Sequence, residues 1–211
     1  MLTKQIFTVG ALQTNCYFLI HRQTGNTIII DPGADGDFLS EQIISQKLNL
    51  KLIFFTHAHY DHLGGALPLL LNFAPIIFLH QKDLPLYRLL PKMTMTWFDK
   101  QGGDPFVPVS CLMSNPQQCQ NYLHQWGFQA LLLAYPGHTP GQTALYFPQE
   151  KFLFAGDFIF AHTTGRTDLP YANAAAMQVS LKRLQTLPPQ TRVYPGHEDN
   201  FLLQTCSLYQ Q

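Results

Sequence analysis

The feature that most constrains the fold is a run of metal-ligand side chains directly after a short apolar stretch. Residues 52–55 read Leu-Ile-Phe-Phe, which is typical of a buried β-strand. Residues 57–62 read His-Ala-His-Tyr-Asp-His and hold three of the nine histidines in the chain, so an ordinary polar turn explains them poorly. Because α/β sheets bind ligands beyond the carboxyl ends of their strands, the run predicts a metal site at a sheet edge.

Three further polar residues each follow a glycine, just after a strand-like stretch. His138 follows Tyr-Pro-Gly, Asp157 follows Ala-Gly, and His197 follows a second Tyr-Pro-Gly. Glycine lets the backbone turn sharply and approach an ion closely. Each motif is weak alone, but together with the run they supply five histidines and two aspartates. That inventory suits two neighbouring divalent ions if one carboxylate bridges them.

The composition argues against several classes of protein. Thirteen basic and thirteen acidic residues cancel and no basic run is present, so a nucleic-acid partner is not expected. The start lacks the apolar stretch of a signal peptide, and the apolar run 67–71 is far shorter than the roughly 20 residues that span a bilayer. We therefore predict a cytoplasmic protein, not bound to a membrane, with free thiols at its four cysteines; a Cys111–Cys119 bridge is the alternative. Sixteen phenylalanines and a 12% charged fraction favour an apolar surface patch and a homodimer as a candidate assembly.

Hydrophobic periodicity predicts one α/β domain over residues 1–211, rich in antiparallel strands. In the first part we predict strands at 6–9, 16–20, 27–30, 52–55 and 76–79, and helices at 37–48 and 63–73. Proline-rich residues 80–120 are predicted to be irregular, with one short helix at 83–90. Beyond them we predict strands at 121–125, 128–134, 143–147, 151–154 and 193–194, hairpin turns at 126–127 and 148–150, and a helix at 172–187.

The ordered motifs resemble those of the metallo-β-lactamase superfamily. They read HAHYDH at 57–62, PGHT at 136–139, AGD at 155–157 and PGHE at 195–198. Within that superfamily the chain resembles the small glyoxalase II-like hydrolases, through QTNCY at 13–17, DPG at 31–33, PGHTPG at 136–141 and GRTDLP at 165–170. The resemblance implies a four-layer αββα sandwich, with residues 80–120 covering one side of the active-site cleft.

The resemblance also implies the ligands of two ions. The first ion would be held by His57, His59 and His138, and the second by Asp61, His62 and His197, with Asp157 bridging both. Imidazole and carboxylate ligands without cysteine suit zinc, which we expect, or iron or manganese. Such a pair leaves open positions, as catalytic sites require, and makes a bridging hydroxide at neutral pH. No serine or cysteine nucleophile is then needed.

Two aspartates are the predicted catalytic residues, and a third supports the ligands. Asp157 is expected to bridge the ions, and Asp61 to act as a ligand or as a proton donor to the leaving group. Asp31 matches a family position that accepts a hydrogen bond from a ligand histidine, which fixes the tautomer and orientation of the ring. Its alternative role is that of a turn residue before a proline.

The Gly-Arg-Thr-Asp stretch offers one substrate-binding candidate. By resemblance it lies at the wall of the cleft, where Arg166 would hold a substrate carboxylate. The alternative is that Arg166 and Asp168 only brace the loop. His162 is predicted to be an ordinary loop residue.

The function implied by the resemblance is hydrolysis of a thioester, S-D-lactoylglutathione or a related compound, by a metal-bridging hydroxide. Persulfide dioxygenases, which share the Gly-Arg-Thr-Asp stretch and use one iron, are the main alternative. Lactone hydrolysis and a non-catalytic metal-binding scaffold are further alternatives. The chain departs from long glyoxalase II enzymes in two ways, since only fourteen residues follow His197 and position 199 is aspartate. Specific binding of the glutathione moiety is therefore left open.

Overall fold

Two β-sheets, one in each half of the chain, organise the fold. The computed structural model describes residues 1–97 and 106–209, without the side chains of 94–97. The chain divides into two compact units, Met1–Asn115 and Pro116–Gln211. No helix among the described residues is long and apolar enough to cross a membrane.

The first unit contains a six-stranded sheet whose strands follow one another in chain order. Its strands are β1 Leu2–Val9, β2 Thr14–His21, β3 Asn26–Ile30, β4 Asn49–Phe54, β5 Ile76–Phe78 and β6 Leu112–Met113. Its helices are α1 Gly36–Ser45, α2 Ala66–Phe73 and α3 Leu84–Trp97. Strands β1 to β3 are antiparallel, whereas β3 to β6 are parallel. The carboxyl ends of β3, β4 and β5 therefore meet at one edge.

Helices α1 and α2 connect the parallel strands and cover apolar side chains of the sheet. Leu39 and Ile43 lie one helical turn apart on α1 and pack in one buried cluster with Leu69 of α2 and Ile53 of β4. Each of these side chains is at most 1% exposed, and burying one contributes about 1.5–3 kcal/mol. This cluster fixes the end of β4, from which the predicted donor run emerges.

The second unit contains a five-stranded sheet in the order β11-β10-β9-β8-β7. Its elements are α4 Pro116–Gln125, β7 Leu131–Ala134, β8 Thr143–Phe147, β9 Phe152–Gly156, α5 Ala174–Leu184, β10 Arg192–Pro195 and β11 Phe201–Leu202. Strands β7 to β9 form an antiparallel meander and β10 lies parallel to β9. Strands β7, β9 and β10 therefore run in the same direction. Asn173 caps helix α5, and its side chain accepts the Ala176 N–H. The helix buries Met177 and Leu184.

The predicted strand at 121–125 is wrong, because these residues form the second half of α4. Pro116 occupies the first turn, where its fixed φ suits a helix and its missing N–H costs nothing. Cys119 and Leu123, one turn apart, are both buried. Gly127, with φ 92°, ends the helix in a Schellman motif, since the N–H groups of 127 and 128 bond to the carbonyls of 124 and 123. The expected hairpin turn at 126–127 is therefore a helix terminus.

The expectation of an irregular segment at 80–120 is wrong for most of its described residues. Helix α3 begins at Leu84 and α4 at Pro116, with short 3-10 turns at Gln81–Asp83 and Val109–Cys111. Leu86 and Leu90, one turn apart, are both buried and hold α3 against the core. The middle of the expected segment, residues 98–105, lies outside the described residues. The other predicted strands and helices are confirmed with shifted ends, and two-residue strands β6 and β11 were missed.

Candidate metal centre

The first group of donor side chains lies in the loop after β4. A 3-10 turn at Tyr60–His62 folds the run back on itself. The rings of His57 and His59 lie 4.7 Å apart and those of His57 and His62 4.2 Å apart. His57 and His62 are fully buried. The structure therefore brings the histidines of this run together as the sequence predicts.

Asp31 orients this loop from the end of β3. Its Oδ1 accepts the Thr56 N–H at 2.8 Å, and its Oδ2 accepts the Thr56 hydroxyl at 2.6 Å. Asp31 Oδ2 also lies 2.9 Å from His62 Nδ1, and because a carboxylate only accepts, the imidazole nitrogen donates. His62 therefore carries its proton on Nδ1 and presents Nε2 as the metal-binding nitrogen.

Asp61 lies beside the Nε2 edge of the His62 ring. Its Oδ2 is 3.5 Å from His62 Nε2 and accepts a hydrogen bond of 3.2 Å from the Thr14 hydroxyl. The backbone of Asp61 and His62 packs on Gly33, whose N–H donates to the His62 carbonyl at 3.1 Å. A side chain at Gly33, which has φ 61°, would overlap Val9 and lie 3.2 Å from the Asp61 carbonyl oxygen. Glycine is thus required at this position.

Asp83 also supports the donor loop, and sequence reasoning missed it. It is fully buried, and its Oδ2 accepts the N–H of Ala58 at 3.1 Å. Ala58 lies between the two histidines His57 and His59, so this bond fixes the backbone that carries both. The available signal was an acidic residue shortly after the predicted strand at 76–79, without any motif around it.

The second group of donors comes from three separate loops of the second unit. His138, Asp157 and His197 follow β7, β9 and β10 respectively, whose carboxyl ends share one edge of the sheet. Asp157 Oδ2 lies 3.7 Å from His138 Nε2 and 3.6 Å from His197 Nε2. The three donors predicted for this unit therefore converge, with the carboxylate between the two imidazoles.

The loop after β9 fixes the His138 ring. His138 Nδ1 donates to the backbone carbonyl of Arg166 at 2.9 Å, so that Nε2 faces Asp157. Gly165 makes this approach feasible, because a Cβ there would overlap the Asp157 carbonyl oxygen and lie 2.9 Å from the His138 ring. Sequence reasoning found the donor but not this support, since a backbone carbonyl has no residue-type signal.

Arg166 directs its side chain at Asp168 in a bidentate ion pair. The Nε–Oδ1 and Nη2–Oδ2 distances are 3.0 and 2.8 Å. The hydrogen bond from Arg166, more than its charge, lowers the pKa of Asp168. Both side chains are about two-thirds exposed, at 68% and 69%, and because solvent screens an exposed pair of this kind, it adds little to the stability of the fold. His162, in the same loop, is exposed.

The spacing of the donor atoms fits divalent metal ions. The three nitrogen–oxygen separations of 3.5–3.7 Å exceed the 2.7–3.2 Å of ordinary N–H···O hydrogen bonds. Ligand atoms about 2.0–2.2 Å from a tetrahedral ion lie about 3.3–3.6 Å from each other. Each pair is thus wider than a hydrogen-bonded pair and within about 0.1 Å of the spacing expected for two ligands that share an ion.

Comparison with known proteins agrees with this geometry. The family model of the metallo-beta-lactamase superfamily matches residues 9–197. The chain belongs to the metallo-β-lactamase superfamily. Its predicted fold class, α/β of the metallo-β-lactamase type, is thereby confirmed.

Three similar proteins illustrate the relationship. Hydroxyacylglutathione hydrolase GloC of Haemophilus influenzae is 33% identical over 195 residues, which cover 92% of this chain and 89% of that protein. The structure of TTHA1623 in a di-iron-bound form has a TM-score of 0.83 and 34% identity, covering 95% of this chain and 96% of that one. The B3 metallo-β-lactamase BLEG-1 has a TM-score of 0.79 and 25% identity, with coverages of 96% and 95%.

Proposed function

We propose that this protein is a dinuclear metal-dependent hydrolase of thioesters, similar to glyoxalase II. The observation that carries the proposal is the Asp157 carboxylate, whose Oδ2 lies within 3.7 Å of both His138 Nε2 and His197 Nε2. An oxygen placed between two imidazole nitrogens supports a bridging role for Asp157. The likeness to a hydroxyacylglutathione hydrolase over 92% of the chain supports S-D-lactoylglutathione, or a related thioester, as the substrate.

The proposed ligand sets follow the resemblance. One ion would take His57, His59 and His138, the other would take Asp61, His62 and His197, and Asp157 would be shared. Two divalent ions bound by these residues would supply a water of lowered pKa and would polarise the carbonyl of the substrate. Zinc suits these ligands, and the di-iron form of a protein 34% identical to this chain supports iron as a second candidate beside manganese.

The chain's own residues would orient the ligands and handle the proton. The Thr14 hydroxyl donates to Asp61 Oδ2 and holds this carboxylate next to His62. In the alternative to metal binding, a protonated Asp61 would give its proton to the leaving group and regain one from the attacking water. A thiol has a pKa of about 8.5 and departs readily as thiolate, so proton donation matters less for a thioester than for a lactone, whose leaving alkoxide is far more basic.

Arg166 is the proposed contact for a carboxylate of the substrate. Its ion pair with Asp168 is exposed to solvent. Replacing Asp168 by a substrate carboxylate therefore costs little free energy. The bidentate geometry that Asp168 satisfies is the geometry with which an arginine recognises any carboxylate. The Arg166 to alanine change should accordingly raise KM for an acidic thioester more than for a neutral one.

The decisive experiment is an assay panel on protein reconstituted separately with zinc, iron and manganese. We expect hydrolysis of S-D-lactoylglutathione, which is monitored as the loss of thioester absorbance. A chelator should abolish this activity. The panel includes a lactone, a β-lactam and glutathione persulfide with oxygen uptake. Oxygen consumption on the persulfide by protein holding one iron, without thioester cleavage, would replace the proposal with the dioxygenase alternative. Cleavage of the lactone alone would identify a lactonase.

A further inference from the structure

We infer that Thr56 is a positioning residue, whose hydroxyl orients the His57 imidazole through a relay that ends on Asp31. The same Asp31 oxygen orients His62 directly. The inference rests on the proposed function only in assigning His57 and His62 to different ions.

The relay is defined by two short contacts of one buried hydroxyl. Thr56 is 1% exposed, and its Oγ1 lies 2.6 Å from Asp31 Oδ2 and 3.0 Å from His57 Nδ1. A hydroxyl has a single proton to donate, and a carboxylate can only accept. The Thr56 proton therefore points at Asp31, and the Thr56 oxygen accepts a proton from His57 Nδ1. His57 is left with Nε2 as its metal-binding nitrogen.

Asp31 thus controls two imidazoles through one oxygen. Its Oδ2 accepts from His62 Nδ1 directly at 2.9 Å and from His57 through the Thr56 hydroxyl. On the proposed ligand assignment, the direct branch serves one ion and the indirect branch serves the other. Loss of the Thr56 hydroxyl should therefore weaken only the ion bound by His57.

The role of the hydroxyl can be separated from the role of the backbone at the same residue. The Thr56 N–H donates to Asp31 Oδ1 at 2.8 Å, and any residue at position 56 other than proline retains this bond. The Thr56→Val variant keeps the β-branched shape and the N–H but lacks the hydroxyl, whereas Thr56→Ser keeps the hydroxyl. Thr27→Val is a matched control, because Thr27 is also fully buried and its hydroxyl bonds only a backbone carbonyl, that of Gly25, at 3.0 Å.

The test is a competition titration of zinc against a chromophoric chelator, performed on the full-length protein and its variants. We expect Thr56→Val to bind one of two zinc equivalents about 10–100-fold more weakly, the usual effect of losing such a support, and the other equivalent as tightly as the wild type. Thr56→Ser should restore the lost affinity to within a few-fold, and Thr27→Val should match the wild type. Thermal unfolding of each metal-free variant checks that it is folded.

Two results would overturn the inference. One is a Thr56→Val protein that binds both equivalents as the wild type does, or that loses both equally. The other needs no variant: nitrogen-15 NMR of the metal-free wild type should show the His57 proton on Nδ1, and a proton on Nε2 contradicts the relay. A wild type that binds two zinc ions but cleaves no thioester rejects the proposed function and leaves the inference to these measurements.

Discussion

The two donor groups are built in opposite ways. The first comes from a single loop in which four donors occupy six consecutive residues. Its His57 and His62 are fully buried, and their rings hydrogen-bond to the side chains of Thr56 and Asp31 respectively. The second gathers three donors from three loops after three strands. Its His197 side chain is 23% exposed, whereas His138 is buried and is supported by a backbone carbonyl rather than by a side chain.

This difference shows what each group depends on. The first group depends on specific polar side chains, above all Asp31, which accepts the hydrogen bonds of buried donors in this loop. The second depends on the course of the backbone, which Gly165 allows to pass close to His138 and Asp157. Changing a side chain should therefore disturb the first group most, whereas adding volume near a turn should disturb the second.

The largest effect on activity is expected from Asp157→Ala, because Asp157 is the donor proposed to link both ions. Turnover should fall to background, and metal affinity should fall beyond the roughly 10–100-fold cost of losing a supporting residue. Metal analysis after gel filtration, together with the thioester assay, measures both. His162→Ala is the control and should keep metal and activity. Loss of metal in His162→Ala, with retention in Asp157→Ala, would show that the ligand assignment is wrong.

Asp31→Ala tests the dependence of the first group on side chains. It removes the buried acceptor of three donors, the Thr56 N–H, the Thr56 hydroxyl and His62 Nδ1, at about 1–3 kcal/mol for each donor left without a new acceptor. We expect the free energy of unfolding of the metal-free protein to fall by about 3 kcal/mol or more in urea. A change below about 1 kcal/mol would mean that Asp31 does not hold this loop.

Gly165→Ala tests the dependence of the second group on its backbone. The added methyl group would overlap the Asp157 carbonyl oxygen, and relieving such an overlap costs about 1–3 kcal/mol. We expect a smaller loss of stability than for Asp31→Ala, together with weaker metal binding, because the shifted loop carries the Arg166 carbonyl away from His138. Unchanged stability and metal content would show that the loop position is not critical.

The sequence predicted the donors of both groups but few of their supports, for a physical reason. Metal chemistry restricts ligands to a few residue types, so His138, Asp157 and His197 stand out beside their glycine turns. Supports such as Thr56 and Asp83 act through hydrogen bonds that many residue types can make. Asp83 also meets its partner Ala58 across 25 positions of the chain, so only the folded structure pairs them.

The fold was predictable wherever apolar periodicity was long and unambiguous. Residues 143–147 form β8 within the predicted bounds. Residues 121–125 were misread because a short stretch with few apolar side chains suits either a strand or an amphipathic helix. Its proline start and glycine end, at 116 and 127, distinguish the helix only once they are read together.

The smallest effects concern the thiols, which report how readily each unit opens. Cys111 is exposed, whereas the other cysteines, at positions 16, 119 and 206, are buried. Burial raises the pKa of Cys119 to about 12, and burial together with the nearby Asp31 carboxylate raises that of Cys16. A raised pKa lowers the thiolate fraction of Cys16 and Cys119 at pH 8, and burial shields Cys206 from the reagent. A disulfide reagent should therefore modify one thiol quickly and three slowly. Equal rates for two or more thiols would show that a buried cysteine is accessible.

The measurement that tests the central claim most directly is the metal stoichiometry of the wild-type protein. The account predicts two equivalents of zinc or iron per chain after reconstitution and removal of unbound metal, since seven donors in two groups exceed what one ion can use. A value of one equivalent, unchanged by excess zinc, iron or manganese, would contradict the dinuclear site.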